Sequence, residues 1–421
     1  MNLRASKVLT ALLLLMVGAL LLLQGCTTLT RLDAVPKALQ EQAQIPGLVG
    51  VRYRAGNDQD LAAMAREGLE SVQREQAYLA SQGHRGPLPP AVFLAVSGGG
   101  DNGAFGAGLL NGWTAAGNRP QFKLVTGIST GALIAPFAFL GPAYDDELKE
   151  FYTTISSKDI LKARGVLAAM TSDAMADNRP LWKLVEKHVT RELLDAIAAE
   201  YEKGRLLVVG TTDLDARQGI IWNMTKLAAS SDPKALDLFR SILIASAAIP
   251  GAFPPVLIDV EADGKPYQEM HVDGGAMAQV FVYPPALNVA EMARAHHFVR
   301  ERQLYIIRNS RLDPEWANVE RRTMSIAQRA IASLIQTQGV GDLYKIYLIA
   351  ERDGVDYHLA YIPPTFNVPH KEEFDTEYMR ALFELGYTMA AKGYPWQKLP
   401  PGFVSPANAE PLKGPAAASA K

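Results

Sequence analysis

The chain has a single cysteine among its 421 residues, which excludes an intramolecular disulfide and a metal site built from several thiolates. It has no excess of one charge either, because 42 Lys and Arg residues face 44 Asp and Glu residues. This balance argues against electrostatic binding to the phosphates of nucleic acid, and we expect no nucleic-acid partner. What the chain does have is a hydrophobic fraction of 48%, which is typical of a globular protein of enzyme size.

The amino terminus carries an apolar run that is too short for a comfortable membrane span. A basic start precedes residues 8–23, which carry no charge, and Gly25-Cys26 follows. This order is typical of a secretory signal peptide. The cysteine after Leu-x-Gly resembles the lipobox of bacterial lipoproteins. That resemblance implies that residues 1–25 are a lipoprotein signal peptide and that Cys26 becomes the lipidated first residue.

Two interpretations of this terminus remain open, because an uncleaved anchor helix would also hold the protein at a membrane from the outside. Thr27 follows the cysteine and resembles lipoproteins that are sent to the outer membrane, since the inner-membrane retention Asp is missing there. We therefore expect a lipid-anchored protein of the bacterial cell envelope, on the outer membrane and facing the periplasm. Membrane lipids are its expected anchor.

The rest of the chain divides into three parts. Residues 26–90 are predicted to be a tether and an N-terminal helix, since apolar positions recur at helical spacing over residues 58–82. Residues 91–395 alternate strand-like runs with helical segments, which predicts an α/β fold with parallel strands and crossover helices. Residues 396–421 are rich in Ala, Pro and Lys and are predicted to be a flexible tail. The predicted strands cover residues 91–97, 123–127, 205–211, 219–224, 270–272 and 304–308, and the predicted helices begin near residues 104 and 130, fill most of 145–202, and cover 319–338 and 376–392.

A G-x-S-x-G motif lies between a predicted strand and a predicted helix. In it, Gly127 and Gly131 flank Ser129. A sharp turn at this place lifts a serine hydroxyl out of the sheet, and its glycines remove side chains that would collide. We therefore predict that Ser129 is a nucleophile on a nucleophile elbow formed by Gly127 and Gly131.

A second glycine-rich turn follows the first strand of the predicted domain. Gly98, Gly99 and Gly100 are consecutive, and their backbone N–H groups can converge on one point, as an oxyanion hole requires. The same letters also match the dinucleotide fingerprint G-x-G-x-x-G. That alternative needs an acidic residue at the end of the next strand. None follows Asp101 until Asp145, so dinucleotide binding is disfavoured.

Two further motifs are uninformative when each is taken alone. Asp273-Gly274-Gly275 contains a common turn dipeptide. The block from Ala245 to Pro255 consists of small residues followed by prolines, which is typical of a helix end. Within the block, Ser246 is the serine to examine after Ser129.

Taken together and in this order, the four motifs resemble the patatin-like phospholipase family. The resemblance implies a three-layer α/β fold, with a central, mostly parallel sheet flanked by helices. It also implies a lipid acyl hydrolase of the phospholipase A or lysophospholipase type, with membrane lipids as substrate. Ser129 would attack the ester, Asp273 would accept its proton, the three consecutive glycines would stabilise the oxyanion, and Gly274 and Gly275 would support Asp273. In place of the arginine usual in the family's oxyanion loop, this chain has Asn102.

Other functions remain open at this stage. His271 lies two residues before Asp273, on the same side of a strand, and a Ser-His-Asp hydrolase of the α/β-hydrolase type also uses G-x-S-x-G. A catalytically silent lipid-binding lipoprotein would keep the same fold. We expect no cofactor and no metal, because no His, Asp and Glu residues have the spacing of metal ligands. The sequence does not determine the oligomeric state.

Overall fold

The computed structural model describes residues 30–165 and 172–403. The signal peptide predicted for residues 1–25, the predicted lipidation site Cys26, and Thr27 lie outside the described residues. So do residues 404–421 of the predicted tail. No helix within the two described ranges is both long enough and apolar enough to cross a membrane.

Helices and strands alternate along much of the chain. The strands are β1 (Arg52–Arg54), β2 (Ala91–Val96), β3 (Leu124–Ile128), β4 (Lys162–Ala163), β5 (Ala176–Asp177), β6 (Leu206–Asp213), β7 (Gln218–Asn223), β8 (Val256–Ala262), β9 (Lys265–Asp273), β10 (Arg302–Arg308) and β11 (Asp356–Tyr361). The α-helices are α1 (Asp58–Ser81), α2 (Gly103–Ala115), α3 (Thr130–Leu140), α4 (Asp145–Thr153), α5 (Ser157–Ile160), α6 (Arg179–His188), α7 (Arg191–Glu202), α8 (Met224–Ala228), α9 (Ala235–Ser246), α10 (Val289–Ala295), α11 (Thr323–Asp353) and α12 (Thr376–Ala391). Short 3-10 helices cover Lys37–Gln42, Gly100–Asn102, Pro142–Tyr144 and Gly274–Ala276.

Nine strands form one central sheet, in the order β1-β7-β6-β3-β2-β10-β11, while β9 pairs with β6 and with β8. The five consecutive strands β6, β3, β2, β10 and β11 run parallel to one another. The other four strands pair antiparallel. The carboxyl ends of parallel strands lie at one edge of a sheet, where α/β proteins place their ligands.

Strand β2 shows why the fold has three layers. Its six residues are all buried. Val92, Leu94 and Val96 belong to one apolar cluster, whereas Phe93 and Ala95 belong to another. Since successive side chains point to opposite faces of a sheet, both faces are covered. Helices α2, α3, α9 and α12 contribute to the first cluster and α11 to the second, so the predicted three-layer α/β fold is confirmed.

The last helix, α12, packs directly against α2. A Cβ atom added at Gly108 would lie 2.0 Å from the carbonyl oxygen of Phe383, and one added at Gly112 would lie 2.1 Å from that of Tyr387. The two backbones therefore touch through glycines, and α12 belongs to the same core as the strands.

The sequence predicts a tether before α1, but in the structure the described part of this segment is packed against the α/β body. Ile45, Leu48 and Val51 are buried in the first apolar cluster, and β1 pairs with β7. The start of the predicted tail is fixed as well, since the ring of Trp396 lies 5.0 Å from that of Trp113. Burial of these apolar side chains holds both segments against the α/β body.

Candidate active site

Ser129 lies on a tight turn between β3 and α3. Its φ of 55° is in the left-handed region, which a side-chain-bearing residue adopts only under constraint. The flanking glycines explain how the turn closes. A Cβ atom at Gly127 would lie 2.4 Å from the carbonyl oxygen of Gly131, and one at Gly131 would lie 2.2 Å from that of Val96. The G-x-S-x-G motif thus forms the strained turn that the sequence predicts.

Ser246 holds the backbone of this turn. The Ser129 N–H donates to the Oγ of Ser246 over 3.0 Å, and that hydroxyl donates to the carbonyl oxygen of Gly210 over 2.7 Å. Ser246 is fully buried at the end of α9, and its hydroxyl both accepts and donates a hydrogen bond. It therefore positions Ser129, and this explains the serine in a block of small residues that the sequence alone leaves without a role.

Asp273 ends β9 and is buried next to Ser129. Its Oδ1 accepts a hydrogen bond from the Gly275 N–H over 2.7 Å. Burial raises the pKa of Asp273 to about 6, while hydrogen bonding from the Ser129 side chain and from Gly275 acts in the opposite direction. A carboxyl group with this pKa is largely ionised at pH 7 and is a stronger base than an exposed aspartate.

The glycines after Asp273 allow a close approach to the sheet. A Cβ atom on Gly274 would lie 2.5 Å from the carbonyl oxygen of Gly210, and one on Gly275 would lie 3.0 Å from Oδ1 of Asp273. A side chain at Gly274 would collide with the backbone of β6, and one at Gly275 would crowd the carboxylate. Both glycines thus support the position of Asp273.

The glycine-rich loop lies against Ser129, but its three glycines differ. A Cβ atom on Gly98 would lie 3.1 Å from the Cβ of Ser129. The Gly98 N–H donates to the carbonyl oxygen of Gln279 over 3.1 Å, so this group is not free to bind an oxyanion, contrary to the prediction from sequence. Within the described residues, the N–H groups of Gly99 and Gly100 have no hydrogen-bond acceptor. They remain the candidate donors.

Residues far along the chain hold this loop in place. Oδ2 of Asp101 accepts hydrogen bonds from the ring of His370, over 2.7 Å, and from the Phe374 N–H, over 2.9 Å. Oδ1 of Asn102 accepts one from the Tyr378 hydroxyl over 2.7 Å. The loop is therefore braced although Asn102 replaces the arginine usual in the family. No local sequence pattern could reveal this brace.

The same brace contains a group of side chains that could hold a metal ion. Among the described residues, potential ligand atoms of Asp101, His370 and Glu373 all lie within 4.8 Å of one another. The sequence predicts no metal, because these residues lack ligand spacing along the chain. The fold brings them together at the glycine-rich loop. None of them contacts Ser129.

His271 does not complete a triad with Ser129. Its Nδ1 lies 2.9 Å from the Thr211 hydroxyl, and its Nε2 lies 3.1 Å from Oε2 of Glu269. Glu269 in turn forms an ion pair with Arg52, and these partners lower its pKa to about 2. Both ring nitrogens of His271 are thus engaged within a buried polar network.

An apolar pocket opens beside Ser129. Its volume is about 30 Å³, which is small beside the roughly 150 Å³ of apolar cavities that bind benzene. The lining residues are Gly100, Ser129, Thr130, Leu133, Phe151, Tyr152, Ile155, Ile160, Leu181, Ala247, Ile249, Phe253, Phe374 and Met379.

Comparison with known proteins agrees with these four motifs. Residues 94–285 match the model of the patatin-like phospholipase family, which confirms the resemblance. No curated protein matches the chain. The chain is similar to VipD from Legionella pneumophila over 73% of its length and 66% of that chain, at 11% identity and a TM-score of 0.36. It is similar to the type III effector protein ExoU over 73% of its length and 53% of that chain, at 13% identity and a TM-score of 0.22. It thus spans less than two thirds of either neighbour.

Proposed function

We propose that the chain is a lipid acyl hydrolase with a Ser129–Asp273 dyad, since residues 94–285 match the model of the patatin-like phospholipase family. One observation carries this proposal: a strained serine turn faces a buried carboxylate whose pKa is raised to about 6. Neutral serine is a weak nucleophile, and a base in contact with its hydroxyl is what activates it.

The reaction proceeds in two steps. Asp273 accepts the proton of the Ser129 hydroxyl as Oγ bonds to the ester carbonyl carbon, and the carbonyl oxygen becomes an oxyanion. The N–H groups of Gly99 and Gly100 stabilise that oxyanion. Collapse of the tetrahedral intermediate expels the alcohol, which takes the proton from Asp273. Asp273 then takes a proton from water as the water oxygen attacks the acyl-enzyme, and the departing Oγ of Ser129 recovers that proton as the fatty acid is released.

This mechanism uses no histidine. Within the described residues, no histidine ring forms a hydrogen bond with Ser129, and His271 is held by Thr211 and Glu269. These contacts favour the dyad over the Ser-His-Asp alternative. The apolar lining of the pocket supports an acyl chain as the group that enters it.

The substrate lies in a membrane. Lipidation of Cys26, outside the described residues, anchors the protein in the cell envelope at the outer membrane. Near the site, the Nε2 of Gln279 donates to the Gln338 side chain over 3.4 Å and to the Gly275 carbonyl over 2.8 Å. Gln338 belongs to α11, whose preceding turns expose Ile331 and Leu334 by 56% and 69%. These apolar side chains contact the bilayer surface.

Labelling with a fluorophosphonate, followed by peptide mapping, tests the dyad. We expect the label on Ser129, with loss of labelling and of ester hydrolysis in Ser129→Ala. Asp273→Asn should lower both by at least a hundredfold, since a general base contributes about 10²- to 10⁴-fold. Ser81→Ala and Asp263→Asn, at exposed positions, are the matched controls and should retain wild-type rates.

Three outcomes contradict the proposal. Wild-type labelling of Ser129→Ala would move the nucleophile elsewhere. Loss of activity in His271→Ala to the level of Ser129→Ala, with the fold retained, would favour a triad. Binding of lipid without any ester hydrolysis would leave a lipid-binding protein that is catalytically silent.

A further inference from the structure

A second cavity lies at the opposite end of the sheet from Ser129. Ala91, Leu124, Leu206 and Arg302, the first residues of β2, β3, β6 and β10, line it. Ser129 follows the last residue of β3, so the two sites are separated by roughly 16 Å along that strand. The cavity has a volume of about 140 Å³ and is open to solvent at one side.

Most of the cavity wall is apolar. Helix α1 covers it with Met64, Ala65 and Val72, and the segment between β9 and β10 adds Leu287 and Phe298. A cavity of this size resembles the roughly 150 Å³ apolar cavities that bind benzene. An alkyl segment of about six to eight carbons would fill it, and a longer chain could continue through the opening.

The polar end of the cavity contains an arginine without a partner. Arg302 is only 8% exposed, and within the described residues its guanidinium forms neither a hydrogen bond nor an ion pair. Its Nη2 is fully buried. Burial and the nearby Arg300 lower the pKa of Arg302, while Tyr283 and Asp353 act in the opposite direction without bonding to it. A buried and unpaired charge is unfavourable, so an anion at this position would stabilise the protein.

The neighbouring charges do not supply that anion. Glu75 is bound by Arg300, over 2.7 and 2.9 Å, and by Lys123, over 2.7 Å. Asp353 is bound by Arg352, over 2.9 Å, and by the Tyr283 hydroxyl, over 2.8 Å. Glu67, which also lines the cavity, is bound by Arg74, over 2.6 Å, and by Lys226, over 3.2 Å. Each of these carboxylates is therefore already paired, and among the described residues none forms an ion pair with Arg302.

We propose that this cavity binds a single-chain anionic amphiphile, specifically a free fatty acid. The carboxylate lies on the guanidinium of Arg302, and the alkyl chain fills the apolar part under α1. Arg302 suits this role because its planar fork of N–H groups matches a carboxylate. The site is distinct from the Ser129 site and does not depend on the proposed hydrolysis.

Calorimetric titration of the Ser129→Ala protein with decanoate tests the proposal without turnover. We expect saturable binding of one decanoate, weakened at least tenfold in Arg302→Met and less in Arg302→Lys. Gly68→Leu provides a second variant, because a Cβ atom at Gly68 would meet no atom within 4 Å and its side chain would occupy the cavity. It should weaken binding at least tenfold. Arg191→Gln, on the exposed face of α7, is the matched control and should change the affinity less than twofold.

The melting temperature provides an independent readout. Without ligand, Arg302→Met should melt at or above the temperature of the parent protein, because it removes an unpaired buried charge. Decanoate should raise the melting temperature of the parent protein and leave that of Arg302→Met unchanged.

The ligand series separates the possible head groups. Decanol and acetate should bind at least tenfold more weakly than decanoate, since each lacks one part of the amphiphile. Tighter binding of decyl phosphate than of decanoate would overturn the fatty acid as the ligand and assign the site to a phosphate-bearing lipid. Equal binding of decanol, or wild-type affinity in Arg302→Met, would overturn the assignment. Retained decanoate binding in a protein that hydrolyses no ester would support this site and contradict only the proposed function.

Discussion

At the scale of single residues, the most informative group is the carboxyl of Asp273. Its pKa is raised to about 6 by burial, and the ionised form is the one that accepts the serine proton. The value of kcat/KM for a soluble ester should therefore rise with pH up to an apparent pKa of about 6 and then stay level. A pH-rate profile measures this. The rise of kcat/KM with pH should persist in His370→Gln. The pKa of His370 is raised as well, but its ring bonds to Asp101 and not to Ser129. An acid limb near pH 4 would contradict the role of Asp273.

Two glycines of the loop should respond differently to the same substitution. A methyl group on Gly99 would meet the Asn309 carbonyl oxygen at 2.1 Å, so Gly99→Ala should lower the melting temperature. Gly100 has open space around the added atom, and Gly100→Ala should stay folded but lose at least tenfold in kcat, because the methyl group lies beside the donors. Gly117→Ala is the control, since Gly117 also has a positive φ and open space. Wild-type kcat in Gly100→Ala would exclude Gly100 from the oxyanion hole.

At the scale of elements, α12 acts on the site through the glycine-rich loop. The Tyr378 hydroxyl holds Asn102, and a hydrogen bond of this kind contributes about 1 kcal/mol. Tyr378→Phe should therefore lower kcat by up to about fivefold, with little change in KM. The double variant with Asn102→Ala should be no slower than the worse single variant, as expected for two groups in one bond. Tyr78→Phe, at an exposed position, is the control. Additive losses would show that the two residues act separately.

The elements also show how far the sequence could be interpreted. The helix over Asp58–Ser81 and the strand at Ala91–Val96 were predictable, because their apolar spacing is regular and glycine or proline ends them. The helix predicted for residues 319–338 in fact covers Thr323–Asp353, since its first turns expose apolar side chains and give no amphipathic period. Strand β11 was missed because its six residues follow that helix after a two-residue turn.

The active site also has a part that the sequence predicts and a part that it does not. Ser129 and Asp273 lie in local motifs that require glycine for steric reasons, so the sequence predicts both residues. The brace formed by His370 and Tyr378 depends on contacts with residues more than 250 positions earlier. Likewise, nothing local distinguishes Gly98, whose N–H is engaged by Gln279, from the two glycines after it.

At the scale of the whole molecule, the family match is shorter than the folded unit. Strand β10 pairs with β2 on one side and β11 on the other, and both β10 and β11 lie after residue 285. A fragment of residues 94–285 would expose the edge of β2 and the glycine face of α2. We expect this fragment to be insoluble or to unfold without cooperativity, whereas residues 30–403 unfold in one transition. Circular dichroism during heating measures this, and a cooperative transition in the fragment would contradict it.

The proposed contact with a bilayer also concerns the whole molecule. Ile331→Asp combined with Leu334→Asp should lower phospholipid hydrolysis in vesicles at least tenfold, because charged residues are expelled from the interface. The rate with a soluble short-chain ester should stay unchanged. Leu348→Asp, which is also on α11 and 65% exposed, is the control. Equal losses on vesicles and on the soluble ester would show that α11 acts on the site itself.

The burial of Asp273 also works against the stability of the protein. Its pKa in the folded chain, about 6, exceeds the value of about 3.9 in an unfolded chain, so folding favours the protonated form. The associated stability is complete below about pH 4 and is lost as the pH rises to about 6, which amounts to up to about 3 kcal/mol. A domain is typically stable by only about 5–15 kcal/mol. At neutral pH, Asp273→Asn should therefore have a larger free energy of unfolding than the wild-type chain. Selection for stability alone would tend to remove the base that the chemistry requires.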